Sequence, residues 1–398
     1  MAGRGRGSWV LGICVALLVG CGGPSAPDAA PSDVRRMLDR RADAVLDRDA
    51  KAYRATGRDT EADEAWDNLR DVPLDSWQYR LTGFERSGTR ATATADLRYR
   101  IKGYDSEPLT TSRTLTLQER DGGWYVAAER PAKKATQQLW DQGPVTSVRG
   151  THSLVLGVGR SERDRTTLRE YADLADRAVP LVRGAWPGKW PQRVVVLVPK
   201  SLDGMAGLLG SPASGYQGIA AVTTGEAGGS GSAPADRIIV NPEAYGVLGD
   251  FGKQVVLTHE TTHVATRAHT SQATPLWLSE GFADWVGYRG TGRTAAQAAP
   301  ELRRAVQREQ LPGALPEDDA FGFSGDAGKL AQAYEGSWLA CRMIADQWGE
   351  ENLTGFYEAV GAHKKRPGAV EDALRDVLDT TPEDFTARWR TYLRAELG

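Results

Sequence analysis

Residues 257–286 read LTHETTHVATRAHTSQATPLWLSEGFADWV, and the pentapeptide HETTH at 259–263 is the part on which the interpretation of the chain depends. Residues four apart on an α-helix lie one above the other, so His259 and His263 present both imidazoles to one point. Two neutral imidazoles that converge in this way suit a zinc ion. Glu260 lies about 100° round the helix from His259, where it reaches a water molecule at the metal without binding the metal. The spacing therefore predicts a metal site with Glu260 as general base.

The residues that lead into the pentapeptide indicate a buried helix. Positions 251–258, FGKQVVLT, form a largely apolar run, as expected of a helix that passes through a core. The chain contains five histidines, so two of them could share this spacing by chance. The apolar approach favours a functional pair in a partly buried pocket, because a helix surface exposed to water is more polar.

A catalytic zinc ion takes three protein ligands and keeps its fourth position for water, so the pair needs a third ligand. His269, six residues after His263, has the spacing used by the metzincins, but Thr266 stands where that pattern needs a glycine. On a continuing helix His269 would be rotated roughly 240° from His263 and would face away from the metal. Glu280, in the segment WLSEGFADW at 277–285, is the other candidate and the one we favour. We expect His269 to be a solvated residue at a helix end.

Three segments in order resemble the gluzincin metallopeptidases, the clan that includes thermolysin and the aminopeptidases with a Trp-Leu-x-Glu-Gly-Phe-Ala segment. They are HETTH at 259–263, WLSEGFADW at 277–285 and AYEGSWL at 333–339. The resemblance covers roughly the last 250 residues, a normal size for one catalytic domain. It implies one zinc ion held by three ligands, and a peptide or protein substrate. The implied ligands are His259, His263 and Glu280.

Further residues complete the implied site. By the resemblance, Glu260 is the base and Tyr334 donates a hydrogen bond to the developing oxyanion. The alternative for Tyr334 is a core tyrosine in an amphipathic helix. Asp284, four residues after Glu280 and so on the same helix face, is a candidate to orient a ligand histidine. An ordinary exposed helix charge is the alternative for Asp284.

The chemistry expected of this set is zinc-dependent hydrolysis of a peptide bond. Zinc lowers the pKa of a water molecule toward neutrality and polarises the carbonyl, Glu260 takes the proton, and the hydroxide attacks the carbonyl carbon. Glu260 then passes the proton to the leaving amine. The chain has no match to the Gly-x-Met-Glu-Asn strand with which those aminopeptidases hold a free amino terminus. Exopeptidase and endopeptidase action therefore both stay open.

The start of the chain reads as a targeting segment. Arg4 and Arg6 precede a short apolar run at 9–19, which is typical of a signal peptide and too short to span a bilayer. Positions 22–31, rich in Gly, Pro, Ser and Ala, form a flexible tether. We expect export from the cytoplasm.

The apolar run ends in LVGC at 18–21, which resembles the bacterial lipobox. That resemblance implies cleavage before Cys21 and its lipidation, and so a protein anchored on the extracytoplasmic face of a bacterial cell membrane. An ordinary secretory signal cut near Gly23 is the alternative. With Cys14 removed and Cys21 acylated, Cys341 remains and cannot form an internal disulfide.

Composition and length limit the remaining possibilities. The 398 residues carry a net charge of −3 with both signs interspersed, which gives no indication of nucleic-acid binding. The mature chain exceeds one ordinary core and suggests more than one domain. We predict four regions, namely a signal peptide at 1–21, the tether at 22–31, a first domain at 32–144 and the metallopeptidase domain at 145–398.

The first domain is predicted to be α+β. Apolar spacing predicts a helix over 33–56, and alternating runs rich in Thr, Tyr and Val predict four strands, at 77–84, 89–101, 110–118 and 123–128. Gly122-Gly123 marks a hairpin. One helix ahead of a curved antiparallel sheet is weakly similar to the nuclear transport factor 2-like fold. The sequence offers no convergent polar set there, so we expect a spacer or docking role.

The second domain is predicted as a gluzincin-type α+β fold with a small mixed sheet, the zinc helix and an all-helical C-terminal part. Strands are expected at 153–158, 193–198, 219–223 and 235–241, and helices at 163–186, 297–310, 327–348, 351–362, 370–378 and from Pro382 onward. The strand at 235–241 is expected at the sheet edge, where an extended substrate could pair with it. The alternative is an interior strand.

The alternative to an enzyme is a lipoprotein that keeps the peptidase fold without catalysis, as a binding or scaffold module. A zinc-dependent hydrolase that acts on something other than a peptide is a third possibility. The presence of all five proposed active-site residues favours the enzyme, since a binding module gains nothing from keeping a base together with its metal ligands.

Overall fold

The computed structural model describes residues 29–224, 235–322 and 326–398. Within these ranges the fold is α+β, as predicted. Helices with a four-stranded antiparallel sheet come first, a five-stranded mixed sheet follows, and the C-terminal part is helical. The predicted signal segment, Cys21 and most of the predicted tether lie outside the described residues.

The first unit contains three helices and four strands. They are α1 (Ala30–Leu46), α2 (Ala50–Arg54), α3 (Asp59–Leu69), β1 (Leu74–Ser87), β2 (Arg90–Ile101), β3 (Leu109–Arg120) and β4 (Gly123–Pro131). The helix predicted over 33–56 is divided, because Arg48 has a φ of 57° and the Asp49 side chain caps α2. Helix α3 occupies a stretch for which no helix is predicted, and the four predicted strands are present.

The first sheet has the order β1-β2-β3-β4, with every neighbouring pair antiparallel. Asp121 and Gly122 both have positive φ, 48° and 73°, at the predicted hairpin between β3 and β4. Burial alternates along β2, so one face of the sheet is in the core. Helix α1 packs on that sheet through β1 and β4.

Two polar contacts join the first unit to the second sheet. The Tyr104 hydroxyl donates to the carbonyl oxygen of Ser153 at 2.9 Å. Arg237 Nη2 donates to Asp105 Oδ2 at 2.7 Å, and these side chains are 6% and 0% exposed. The backbone N–H of Ile101 donates to the same carboxylate oxygen at 2.7 Å. A single hydrophobic core also runs from α1 into the second sheet, so the two sheets share an interior.

The second sheet contains β5 (Val145–Arg149), β6 (Ser153–Val158), β7 (Val194–Val198), β8 (Ala221–Thr223) and β9 (Ile238–Val240). Its order is β5-β6-β7-β9-β8, in which β6, β7 and β9 are parallel and the two outer strands are antiparallel to their neighbours. The expectation that the strand at 235–241 forms a sheet edge is wrong. The strand observed there, β9, pairs with β7 and β8 and is fully buried, as its run of three β-branched apolar residues favours, and β8 is the edge strand on that side.

Helices surround this sheet and complete the chain. They are α4 (Glu162–Ala185), α5 (Leu202–Leu209), α6 (Pro242–Gly246), α7 (Asp250–Thr266), α8 (Leu276–Tyr288), α9 (Ala295–Ala298), α10 (Pro300–Gln307), α11 (Ala327–Trp348), α12 (Glu350–Ala362), α13 (Ala369–Leu378) and α14 (Pro382–Leu397). The helix predicted over 297–310 is two helices, because Pro300 begins α10 and ends the preceding turn. Within the described ranges, no helix is both apolar enough and long enough to cross a bilayer.

Helices α8 and α11 cross in close contact at Gly281. A Cβ atom at Gly281 would lie 2.4 Å from the carbonyl oxygen of Ser337 and 2.6 Å from its carbonyl carbon, so glycine is required for this separation. On the neighbouring turn, the Trp389 indole N–H donates to the carbonyl oxygen of Gly336 at 3.1 Å. The crossing fixes Glu280 against the helix that carries Tyr334.

Candidate metal centre and active-site cleft

Helix α7 carries the paired histidines on a buried face, packed against α4, α8 and the edge strand β8. His263 and Glu260 are each 5% exposed. The imidazoles meet as the helical spacing predicts, with Nε2 of His259 lying 2.9 Å from Nε2 of His263. Both ring nitrogens therefore point to the same small volume.

Glu280, near the start of α8, brings a carboxylate to the same point. Its Oε2 lies 3.3 Å from His259 Nε2 and 3.6 Å from His263 Nε2. The three donor atoms thus form a triangle with sides of 2.9, 3.3 and 3.6 Å. Nitrogen and oxygen ligands placed tetrahedrally at about 2.0–2.1 Å from zinc are about 3.3 Å apart. The donor set fits a zinc ion in both chemistry and size.

Asp284, one turn after Glu280, lies behind the first histidine. Its Oδ1 is 2.8 Å from Nδ1 of His259. When Nδ1 carries the proton and donates it to Asp284, the lone pair of Nε2 faces the other donor atoms. Helix α8 therefore supplies the third candidate donor and also a hydrogen bond that orients His259.

The charges around the donor atoms favour a cation. Burial on its own would lower the pKa of His259, but the carboxylates of Asp284 and Glu280 outweigh it and raise that pKa to about 10. Burial would likewise raise the pKa of Glu280, yet His263 and His259 hold it well below its usual range. The two carboxylates thus hold a positive charge at this point, and a divalent metal would replace the proton as their partner.

Glu260 is held by a residue that sequence reasoning did not find. Thr223, on the edge strand β8, is fully buried, and its Oγ1 lies 2.6 Å from Glu260 Oε2 and 3.1 Å from the Glu260 carbonyl oxygen. The hydroxyl donates to the carboxylate and fixes its rotamer. No local pattern marks Thr223, because its role arises from the packing of β8 against α7.

A cleft of about 680 Å³ opens at this centre. His259, Glu260 and Asp284 line it from one side, and Tyr334 of α11 lines it from another. The Tyr334 ring packs edge-on against Phe321, with the ring centroids 5.2 Å apart. The backbone before β8, at 217–220, forms a third wall. The cleft therefore brings together Glu260, His259 and Tyr334, three residues to which the sequence resemblance assigns roles.

His269 takes no part in the donor group. It ends a short 3₁₀ turn after α7, where its Nδ1 lies 3.5 Å from Glu358 Oε1 and its ring contacts Trp186. The side chain is 35% exposed. His259, His263 and Glu280 are the residues of the described ranges that are grouped for a metal, so the choice of Glu280 over His269 agrees with the geometry.

The first unit contains a second cavity, of about 310 Å³, which the sequence did not predict. Arg113 binds Asp141 through two nitrogens at 2.9 and 2.6 Å, and Tyr79 donates to Glu129 at 3.0 Å. Arg41, also buried, has its Nε 3.7 Å from Glu129 Oε2. A convergent polar set is therefore present, contrary to our expectation. Its members come from a helix, three strands and a turn, and they pair with one another.

Comparisons with known proteins gave structural similarities only. No family model matches the chain, and no curated protein matches its sequence. Yeast LTA4 hydrolase is similar at 13% identity and a TM-score of 0.39, over 71% of this chain and 44% of that one. An M1 zinc metallopeptidase from Deinococcus radiodurans is similar at 16% identity and a TM-score of 0.31, over 78% of this chain and 61% of that one.

A structure named Rd1NTF2_05, with five substitutions in its name, is similar to part of this chain. It has 12% identity and a TM-score of 0.22, over 26% of this chain and 97% of that one. The present chain spans 44% of the length of the yeast LTA4 hydrolase and 61% of the length of the Deinococcus radiodurans protein. At these TM-scores and identities the similarities support no functional assignment, which rests on the geometry of the site.

Removal of single donors tests the metal centre. We expect wild type to retain one zinc ion per chain after dialysis. Zinc affinity should fall at least about 100-fold in the variants His259→Gln, His263→Gln and Glu280→Gln, because each variant loses one of the three ligands. Asp284→Asn should weaken binding about 10- to 100-fold. Elemental analysis and competition with a chelator measure both. His269→Gln is the matched control, and zinc retained by Glu280→Gln but lost by His269→Gln would contradict the assignment.

Proposed function

We propose that the protein is a zinc-dependent metallopeptidase that hydrolyses peptide bonds. The observation that carries the proposal is the triangle of His259, His263 and Glu280 donor atoms, with the Glu260 carboxylate on the wall of the same cleft. A structural metal site is closed by four protein ligands, whereas three donors beside an open cleft leave a position for water. The carboxylate of Glu260 is then the candidate base.

In the proposed mechanism, His259, His263 and Glu280 would hold a zinc ion, which when bound would supply Lewis acidity to a carbonyl oxygen and to water. Glu260 accepts the proton of the attacking water while Thr223 holds its Oε2. Glu260 then delivers that proton to the nitrogen of the leaving amine. Asp284 keeps His259 in the tautomer whose Nε2 faces the centre. The hydroxyl of Tyr334 donates a hydrogen bond to the carbonyl oxygen as negative charge develops there.

The substrate is proposed to bind as an extended strand beside β8. Among the described strands β8 is one of the two edge strands of the second sheet, and Ala221 of β8 lines the cleft together with Ile219 and Ala220. An extended peptide can add to such an edge through main-chain hydrogen bonds, which select a conformation rather than a sequence. The carbonyl group of the peptide bond to be cleaved would then lie between the edge strand and the metal donors.

Glu260→Gln tests the base. The amide keeps the size of the side chain but cannot accept the proton of water, so kcat should fall about 10²- to 10⁴-fold. Cleavage of a quenched fluorescent peptide library by the zinc-loaded protein measures this, with zinc content as the control for an intact centre. If the zinc-loaded wild type cleaves no peptide in the library but binds one, the silent binding module is the better description.

Tyr334→Phe tests the proposed hydrogen bond to the carbonyl oxygen. Loss of one such donor should lower kcat about 10²- to 10³-fold, with a smaller change in KM because the bond strengthens as charge develops. Tyr288→Phe is the matched control, since Tyr288 lines the same cleft and packs on Trp338. Equal kcat values for Tyr334→Phe and wild type would reduce Tyr334 to a packing residue.

We further propose that the protein is exported and anchored to the membrane by lipid on Cys21. The support is in the sequence alone: Arg4 and Arg6, the apolar run at 9–19 and the LVGC segment at 18–21. The anchor would place the catalytic unit on the extracytoplasmic face. Its peptide or protein substrates would be those present outside the cytoplasm.

Cys21→Ser tests the anchor. In a bacterial host, wild type should sediment with membranes and be released by detergent, whereas the variant should lose this association because no acyl chain can be attached. Immunoblots of membrane and soluble fractions measure the distribution, and Cys14→Ser serves as the control that leaves Cys21 in place. Wild type recovered in the soluble fraction would favour the ordinary secretory signal instead.

A further inference from the structure

One face of α11 forms a wall of the cleft. Its members follow helical spacing: Ala327, Leu330, Ala331, Tyr334, Glu335 and Trp338. Five of these are apolar or aromatic, as expected for a wall that binds a substrate. Glu335 is the charged member, next to the proposed catalytic Tyr334. The proposed mechanism gives Glu335 no role.

The Glu335 carboxylate is held in a fixed position by a neighbouring helix. Its Oε2 accepts from the backbone N–H of Leu302 at 2.5 Å, and its Oε1 accepts from the backbone N–H of Glu301 at 3.2 Å. Both amides belong to the first turn of α10, whose dipole favours a negative charge there. Glu335 is thus oriented before any ligand arrives.

Glu335 has no counterion among the described residues, because no lysine, arginine or histidine nitrogen forms an ion pair with it. The nearby Arg304 pairs with Glu301 instead. Burial raises the pKa of the Glu335 carboxyl to about 7, while the amides of Leu302 and Glu301 act in the opposite direction. Glu335 is half-buried, and a partly desolvated carboxylate without a cation is unfavourable, so a cationic ligand would offset that cost.

Acidic side chains predominate in the lining of the cleft. Among the described residues that line it, Glu260, Asp284 and Glu335 are acidic, His259 is the basic residue, and no lysine or arginine is present. Asp284 already has His259 as its partner, and Glu260 is the proposed base. Glu335 is therefore the carboxylate left to meet a positive charge brought by a substrate.

We propose that Glu335 binds a cationic group of the substrate and so gives the cleft a preference for positively charged peptides. This inference rests on the proposed peptidase function. The group is the ammonium or guanidinium of a lysine or arginine side chain. The amides of α10 keep the carboxylate in place, and the apolar members of the α11 face contact the alkyl part of the group.

A matched peptide series tests the preference. Each peptide carries lysine at one position, and its partner carries norleucine, which has a similar alkyl chain without the charge; both are made with free and with acetylated amino termini. For wild type, kcat/KM should be higher for the cationic partner at one position. In Glu335→Gln this ratio should fall at least about tenfold, because a charged hydrogen bond is lost.

The ratio separates binding of the cation from a structural role. If Glu335 only capped α10, the substitution would change kcat/KM for both partners equally and leave their ratio unchanged, which would overturn the proposal. Glu301→Gln removes a carboxylate from the same helix end, where it pairs with Arg304 outside the cleft lining. That control should keep the wild-type ratio. The preference should persist when the amino termini are acetylated, because the two partners differ only in the side chain.

A binding measurement keeps this test apart from that of catalysis. If wild type cleaves no peptide, the peptidase proposal fails, and calorimetry with the zinc-loaded Glu260→Gln protein still compares the lysine and norleucine partners. Tighter binding of the lysine peptide, lost when Glu335→Gln is added, supports the cation site on its own. Equal affinities for the two partners, or a difference that Glu335→Gln leaves unchanged, would overturn it.

Discussion

The packing of α8 against α7 and α11 is the constraint on which the candidate site depends. Helix α7 alone supplies two imidazoles and an adjacent carboxylate, but α8 must approach closely for Glu280 to reach them. Gly281 lets α8 pack closely against α11 at the same time, since any side chain at that position would meet the backbone of α11. One helix therefore sets the third donor, the hydrogen bond to His259 and the distance to the tyrosine helix. A small shift of α8 would disturb all three together.

The electrostatic design of the site follows from the same packing. Carboxylates from α7, α8 and α11 are brought into one partly buried cleft, and the described residues lining it supply no lysine or arginine to balance them. Desolvation of these carboxylates is unfavourable without a cation, and the protonated His259 is the partner that the metal would replace at the donor triangle. Metal binding at the donor triangle would therefore contribute to the stability of the folded protein as well as to its chemistry.

Sequence reasoning succeeded where the controlling geometry is local. The convergence of His259 and His263 follows from one helical turn, and strands and helices with clear periodicity lie close to their predicted positions. It failed where position is set by distant parts of the chain. Thr223 reaches Glu260 through the pairing of β8, the edge of the second sheet depends on strand order, and Arg113 meets Asp141 only in the folded first unit. The division of the chain near residue 144 stays a prediction.

The buried pair between Asp105 and Arg237 ties the first unit to the support of the cleft. Arg237 also exchanges hydrogen bonds with Thr224, the residue directly after Thr223, through its backbone N–H and its carbonyl oxygen. A chain without the first unit would leave this guanidinium without its carboxylate partner. The two units therefore depend on each other at this junction, and a change confined to the first unit can reach the wall of the cleft through one ion pair.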